Sequence, residues 1–259
     1  MPYADLHVHT TRSDGSLELE AIPAAARRAN VDVVAVTDHD RLQPFDEPAI
    51  ERDGVTVVHG IELRVETDAG QRVDLLGYGI EPTSDLDALV EGIQTNRIER
   101  GRAIVEKVED ELGVDLRVTV TDGFGRPHVA RAIEAHPDTD YGYGEAFDRL
   151  IGNDGPCFVP RDVPSFDHGR RVLADAGRLV SLAHPLRYRD PEQALGLGAH
   201  LDAIERWYPY ARDVDVTPVE RAIERYELVA TGGSDAHDDV LGRAGLSRAA
   251  FDRLELGLD

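Results

Sequence analysis

Short apolar runs alternate with stretches of helical period along most of this chain. Residues 3–9 read as a strand, 19–29 as an Ala-rich helix with Pro23 near its start, and 31–37 as a buried strand. Two more short apolar runs follow at 55–58 and 73–78. The middle changes period. Ser84, with Asp87 three residues on, reads as a helix cap, and Leu89, Ile93, Ile104, Val108 and Leu112 continue at helical spacing. Further helices are predicted near 127–135 and 145–151. Strand patterning returns at 179–183, 201–207 and 227–231. Thr217-Pro218-Val219-Glu220 reads as a helix start, with Thr as cap, Pro at the first position and Glu closing the box. Strand, helix, strand at this spacing predicts βα units around a mostly parallel sheet. The expected organisation is an α/β barrel from 1–81 and 169–259, with a mainly helical insertion at 82–168.

Composition narrows the partners. The 259 residues carry a net charge of −22, and only one of the 28 basic residues, Lys107, is a lysine. A surface this acidic gives no general attraction to long nucleic acid or to an anionic membrane, so a phosphate substrate must be captured locally. The scarcity of lysine and the excess of carboxylates point to adaptation to a salty, cytoplasmic environment, where salt screens repulsion between acids. Cys157 stands alone, so no internal disulfide forms; it is expected to be a small buried residue. No basic leader precedes an apolar run at the N-terminus, and no apolar run approaches a membrane span.

The chemistry gathers at the strand ends. With period two, Asp5, His7 and His9 share one face of the first strand. Thr37-Asp38-His39-Asp40 ends the second apolar run, Gly60-Ile61-Glu62 the third, Ala183-His184-Pro185 a later one, and Ser234-Asp235-Ala236-His237 the last; Asp74 lies within the fourth. In parallel α/β folds the C-terminal strand ends converge on one rim. Carboxylates clustered there repel one another unless a cation neutralises them, so bound metal accounts for the pattern. Imidazole and carboxylate without thiolate suit Mn, Zn or Fe(II). His59, His136, His168 and His200 fall outside these segments and read as structural or surface residues.

Those segments, together with Ser13-Asp14-Gly15, Leu76-Gly77-Tyr78, Arg126-Pro127-His128 and Val159-Pro160-Arg161, resemble the PHP (polymerase and histidinol phosphatase) family, specifically its stand-alone metal-dependent phosphoesterases. The match runs from residue 5 to residue 237. The resemblance implies a distorted (β/α)7 TIM-like barrel with a helical insertion and two or three divalent metal ions. One ion would take His7, His9, Glu62 and Asp235; a second would share Glu62 and add His128 and Asp74, a position that is usually His in this branch; a third would take Asp14, His39, His184 and His237.

Metal-activated hydroxide is then the expected nucleophile, with Asp235 and His237 as catalytic residues and Arg126, Arg161 and Ser13 as phosphate-binding residues. The expected substrate is a small phosphorylated molecule: a nucleoside 3′,5′-bisphosphate or a short 5′-phosphorylated oligoribonucleotide. Trp207, Tyr208 and Tyr210 are candidate stacking partners for a base. The alternatives are a histidinol-phosphate phosphatase or other small phosphomonoesterase, and a metal-binding domain without turnover.

Overall fold

The apolar runs form one sheet in the computed structural model, which describes residues 1–121 and 123–258. Its strands are β1 (Ala4–Val8), β2 (Val33–Val36), β3 (Ala49–Arg52), β4 (Val55–Glu66), β5 (Arg72–Tyr78), β6 (Leu179–Leu182), β7 (Ala203–Trp207) and β8 (Val229–Gly232). Their order is β1-β2-β4-β5-β6-β7-β8, with β3 added on β4. Helices are α1 (Ile22–Ala29), α2 (Ser84–Leu112), α3 (Arg126–Ala135), α4 (Tyr143–Ala146), α5 (Phe166–Ala176), α6 (Pro191–Gly196), α7 (Thr217–Tyr226) and α8 (Arg248–Phe251). The sheet curls toward closure. Val8 bridges in parallel to Ala236, and His9 N donates to Ala236 O at 2.9 Å. This is the distorted barrel that the resemblance implied.

The expectation of parallel pairing is met at both ends of the sheet and corrected in its middle. β1, β2 and β4 run parallel, as do β6, β7 and β8, but β5 pairs antiparallel with both β4 and β6. Only residues 67–71 separate β4 from β5, too few for the crossover that a parallel pair needs. β5 therefore starts at the rim where the other six strands of the path end. β3 was not read from the sequence. It forms a hairpin with β4 through Asp53-Gly54, both at positive φ (52° and 76°), as a tight two-residue turn requires.

Two caps also differ. Thr83, not Ser84, caps α2, its Oγ1 accepting from Leu86 N at 3.3 Å. Thr217 is the first residue of α7; Asp215 Oδ1 accepts from its N–H at 2.9 Å, and Glu220 pairs with Arg206 instead of closing a box.

The chain divides into two compact units, 1–90 with 163–259, and 91–162. These boundaries fall inside the expected 82–168 insertion, the first of them within α2. In the barrel unit, Leu6, Ala35, Val58, Leu76, Tyr78 and Ala203 fill one core cluster. Ile22, Ala25 and Ala26 of α1 pack on Val34, Val36 and Val57 in another. The helical unit has its own core around Ile104, Val108, Phe124, Val129 and Ile151, which also takes in the buried Cys157.

His59 illustrates a histidine used for packing. It is fully buried, its ring tilted against that of Phe45, with Nε2 accepting from Gln43 N at 3.0 Å. Burial lowers its pKa to about 4; a backbone hydrogen bond at Phe45 opposes this and the Arg12 charge adds to it. Below pH 6.5 the unfolded chain binds a proton that the folded chain refuses, so stability falls as pH drops from 6.5 to 4 and levels off beneath. From pH 7 to pH 4, denaturant unfolding should show the wild type losing about 3 kcal/mol more than His59→Gln, which keeps the acceptor. Equal losses would remove His59 as the cause.

Candidate metal centre

The C-terminal ends of β1, β2, β4, β6, β7 and β8 and the start of β5 deliver their side chains to one rim. Glu62, with no exposed surface, is at its centre. His7 Nε2, His9 Nε2 and His39 Nδ1 lie 3.4, 3.3 and 3.0 Å from Glu62 Oε2, and His184 Nε2 donates to Oε1 at 3.0 Å. Asp235 Oδ1 stands 3.1 Å from His9 Nε2 and 3.4 Å from His7 Nε2. Asp14 reaches in from the loop after β1, 3.4 Å from His237 Nε2 and 3.8 Å from His39 Nε2.

Among the described residues, donor atoms converge within 4.8 Å of one another in three groups: His7, His9, Glu62 and Asp235; His9, Asp14, His39 and His237; and Glu62, Asp74 and His184. The partition differs from the expected one. His184 joins Glu62 and Asp74, and His9 stands with Asp14, His39 and His237 in its place. His128 is in none of the groups. It lies in the helical unit, where its Nδ1 accepts from Gly125 N at 3.2 Å and its ring stacks on Phe124. Asp5 does not join His7 and His9. The β1–β2 register shifts between Asp5 and Val8, and the Asp5 carboxylate accepts from Ser234 N, Ser234 Oγ and Gly242 N, fastening the loop after β8.

The donor set fits divalent cations. His7 Nε2, both ring nitrogens of His9, Glu62 Oε2 and His184 Nδ1 are buried without a hydrogen-bond partner. Unpaired buried polar atoms are rare, and converging imidazole and carboxylate donors are what Mn, Zn or Fe(II) accept. The carboxylates are held ionised, as ligation needs. Burial would raise the Glu62 pKa, but the charges of His39 and His7 and the hydrogen bond from His184 hold it well below its usual value. Burial would likewise raise Asp14, yet the His237 hydrogen bond and the His39 charge bring it down to about 2. Asp235 is also held low against burial, by its close approach to His9 Nε2 and the charge of His7. Burial would lower His7 and His39, but Glu205 and Glu62 raise the first and Glu62 raises the second to about 9, so a cation would displace protons from these rings.

Supporting residues hold these donors, and Glu205 and Arg187 among them are ones the sequence reading missed. Glu205 of β7, fully buried, accepts from His7 Nδ1 at 3.0 Å and from His184 N at 2.6 Å. This fixes the His7 tautomer with Nε2 facing the group. A Glu inside the apolar run Ala203-Ile204-Glu205 was the available signal. Asp38 binds Thr10 N and Oγ1 at 2.7 Å each, and Ser13 Oγ at 2.6 Å. Ser13 is thus a fastener of the Asp14 loop, its hydroxyl proton committed to a carboxylate. Arg187 Nη1 and Tyr208 OH hold Asp235 Oδ2 at 2.8 and 2.7 Å. Asp235 (φ 48°) and His184 (φ 27°) adopt strained left-handed backbone at the rim. Gly233 admits no side chain, because a Cβ there would lie 2.3 Å from His7 N.

The two expected phosphate-binding arginines lie in the helical unit. Arg126 Nη1 donates to Ile151 O at 3.3 Å and Asn153 Oδ1 at 3.0 Å, while Arg161 precedes the return to the barrel unit. Glu205→Gln should weaken Mn2+ binding by about 10- to 100-fold in equilibrium dialysis, because His7 loses the acceptor that orients it. Unchanged affinity would show that Glu205 does not set the His7 ligand.

Comparison with known proteins agrees with this geometry. The family model described as "PHP domain" matches residues 5–133. A phosphoribosyl 1,2-cyclic phosphate 1,2-diphosphodiesterase of Eggerthella lenta is 32% identical over 90% of this chain and 93% of its own. A 3′,5′-nucleoside bisphosphate phosphatase of Chromobacterium violaceum is 27% identical, over 92% and 88%. The Escherichia coli 5′-3′ exoribonuclease Rnm is 28% identical, over 90% and 84%. Among solved structures, an amidohydrolase from Chromobacterium violaceum superposes with a TM-score of 0.71 at 23% identity, covering 98% of this chain and 96% of that one, and shares the fold. A relative matched almost end to end, together with the domain model over residues 5–133, places the chain in the PHP-domain family of metal-dependent phosphoesterases.

Proposed function

We propose that this chain hydrolyses phosphate esters of small nucleotides, nucleoside 3′,5′-bisphosphates or short 5′-phosphorylated oligoribonucleotides, using Mn, Zn or Fe(II) at the rim. The observation that carries this reading is a cavity of about 410 Å3 beside Tyr208. Trp207, Tyr208 and Tyr210 offer it aromatic faces, and Arg212 and Arg243 offer it guanidinium groups. A base stacks on the first and phosphate oxygens pair with the second. Tyr208 joins the cavity to the centre, since its hydroxyl holds Asp235. The named activities of the three relatives support the choice of a nucleotide or sugar phosphate.

Divalent ions held by His7, His9, Glu62 and Asp235, and by Asp14, His39 and His237, would activate water and offset charge developing on phosphoryl oxygens. The protein's own groups do the rest. Glu205 keeps His7 in its ligating tautomer. Arg187, half exposed beside Asp235, is placed to clamp a phosphate oxygen at the rim. His237 Nδ1 is held on the Asp235 carbonyl at 3.0 Å, so its Nε2 is the atom for either remaining role, metal ligand or proton donor to the leaving oxygen. Among the described residues no helix is long and apolar enough to cross a membrane.

The deciding experiment is turnover with Mn2+ in molar KCl on four substrates: a nucleoside 3′,5′-bisphosphate, a 5′-phosphorylated short RNA, phosphoribosyl 1,2-cyclic phosphate and histidinol phosphate. We expect turnover of the first two. Tyr210→Ala should raise their KM about tenfold and leave that for p-nitrophenyl phosphate unchanged. Turnover of histidinol phosphate alone would favour a small phosphomonoesterase, and none at all with ions bound would favour a domain without turnover. The acidic, lysine-poor composition further predicts higher thermal stability in molar KCl than in dilute buffer. Equal melting temperatures would remove salt adaptation.

A further inference from the structure

The three donor groups are not alike. In the two that contain His9, buried ring nitrogens and Glu62 Oε2 have no hydrogen-bond partner. In the third, protein bonds already satisfy the carboxylates. Glu62 Oε1 accepts from His184 Nε2 at 3.0 Å. Asp74 accepts a bidentate fork from Arg64, Nε to Oδ1 at 2.7 Å and Nη2 to Oδ2 at 2.7 Å.

This fork is built into the sheet. Arg64 and Asp74 are directly opposed in the β4–β5 register, and Glu62 lies two residues before Arg64 on the same face. The Asp74 side chain is 2% exposed, so its charge has little water and depends on the guanidinium. A divalent ion ligated by Asp74 would have to sit beside that guanidinium, and like charges at this range repel strongly in a partly buried site. Arginine does not lose its proton in proteins, so the compensation is permanent.

We propose that Arg64 is the resident cation of the Glu62–Asp74–His184 group, so that the chain takes up two divalent ions and holds the third position with a guanidinium. The proposal rests on the reading of the other two groups as metal sites, and counting ions separates the two claims. The full chain is dialysed to saturation against Mn2+, and bound ions per chain are measured by mass spectrometry. The wild type should bind two. Arg64→Ala frees Asp74 and should bind three, with cooperative thermal unfolding as the control for folding. Three ions in the wild type, or two in a folded Arg64→Ala, overturns the proposal and leaves the metal reading standing. A wild type that binds none overturns both. Should Arg64→Ala not fold, Asp74→Asn decides: a count that stays at two supports Arg64 as the cation, and a count one lower makes Asp74 a ligand and overturns it.

Discussion

A carboxylate with no exposed surface, Glu62, is the constraint around which the rim is arranged. Left alone it would cost several kcal/mol of lost hydration, so its surroundings must supply positive charge. Four imidazoles, from the ends of three different strands, converge on its two oxygens. Those imidazoles need orientation in turn, and three more buried carboxylates provide it or the loops behind it. Glu205 grips His7 and His184, Asp38 ties down the loop that carries Asp14, and Asp5 ties down the loop that carries Asp235 and His237. Each of these three is hydrogen-bonded at two or more points, which is why so many acids can be buried together.

Much of this was legible in the chain because parallel strands collect their ends on one side. Histidines and acids at the ends of five apolar runs, with Asp74 inside a sixth, located the rim, and the runs located the barrel. What escaped reading has physical causes. The reversal at β5 follows from loop length, which periodicity does not register. The bulge in β1 breaks period two, so Asp5 parted from His7 and His9. Glu205 lay inside a strand instead of at its end. The grouping of ligands was misread because only three-dimensional register reveals that Asp74 faces Arg64 and that His184 lies over Glu62.

The arginine-for-lysine bias also gains a local meaning. Arg64 on Asp74 and Arg187 on Asp235 are close pairs with rim carboxylates, the first of them a bidentate fork. Lysine offers a single point charge and could not hold both oxygens of Asp74 in one plane. Around the centre, the choice of base therefore reflects hydrogen-bond geometry as much as solvation of an acidic surface.

The bridge between Val8 and Ala236 has a consequence for biosynthesis. His7 and His9 come from one end of the chain and Asp235 from the other, so their group exists only once the ring of strands has closed. Contacts this far apart in sequence form late, after the entropy of a very long loop has been overcome. On the ribosome, His7 and His9 emerge well before Asp235 and have no carboxylate partner from β8 until that strand has been made. Any ion held by that group would therefore enter only after β8 has been made and the ring has closed.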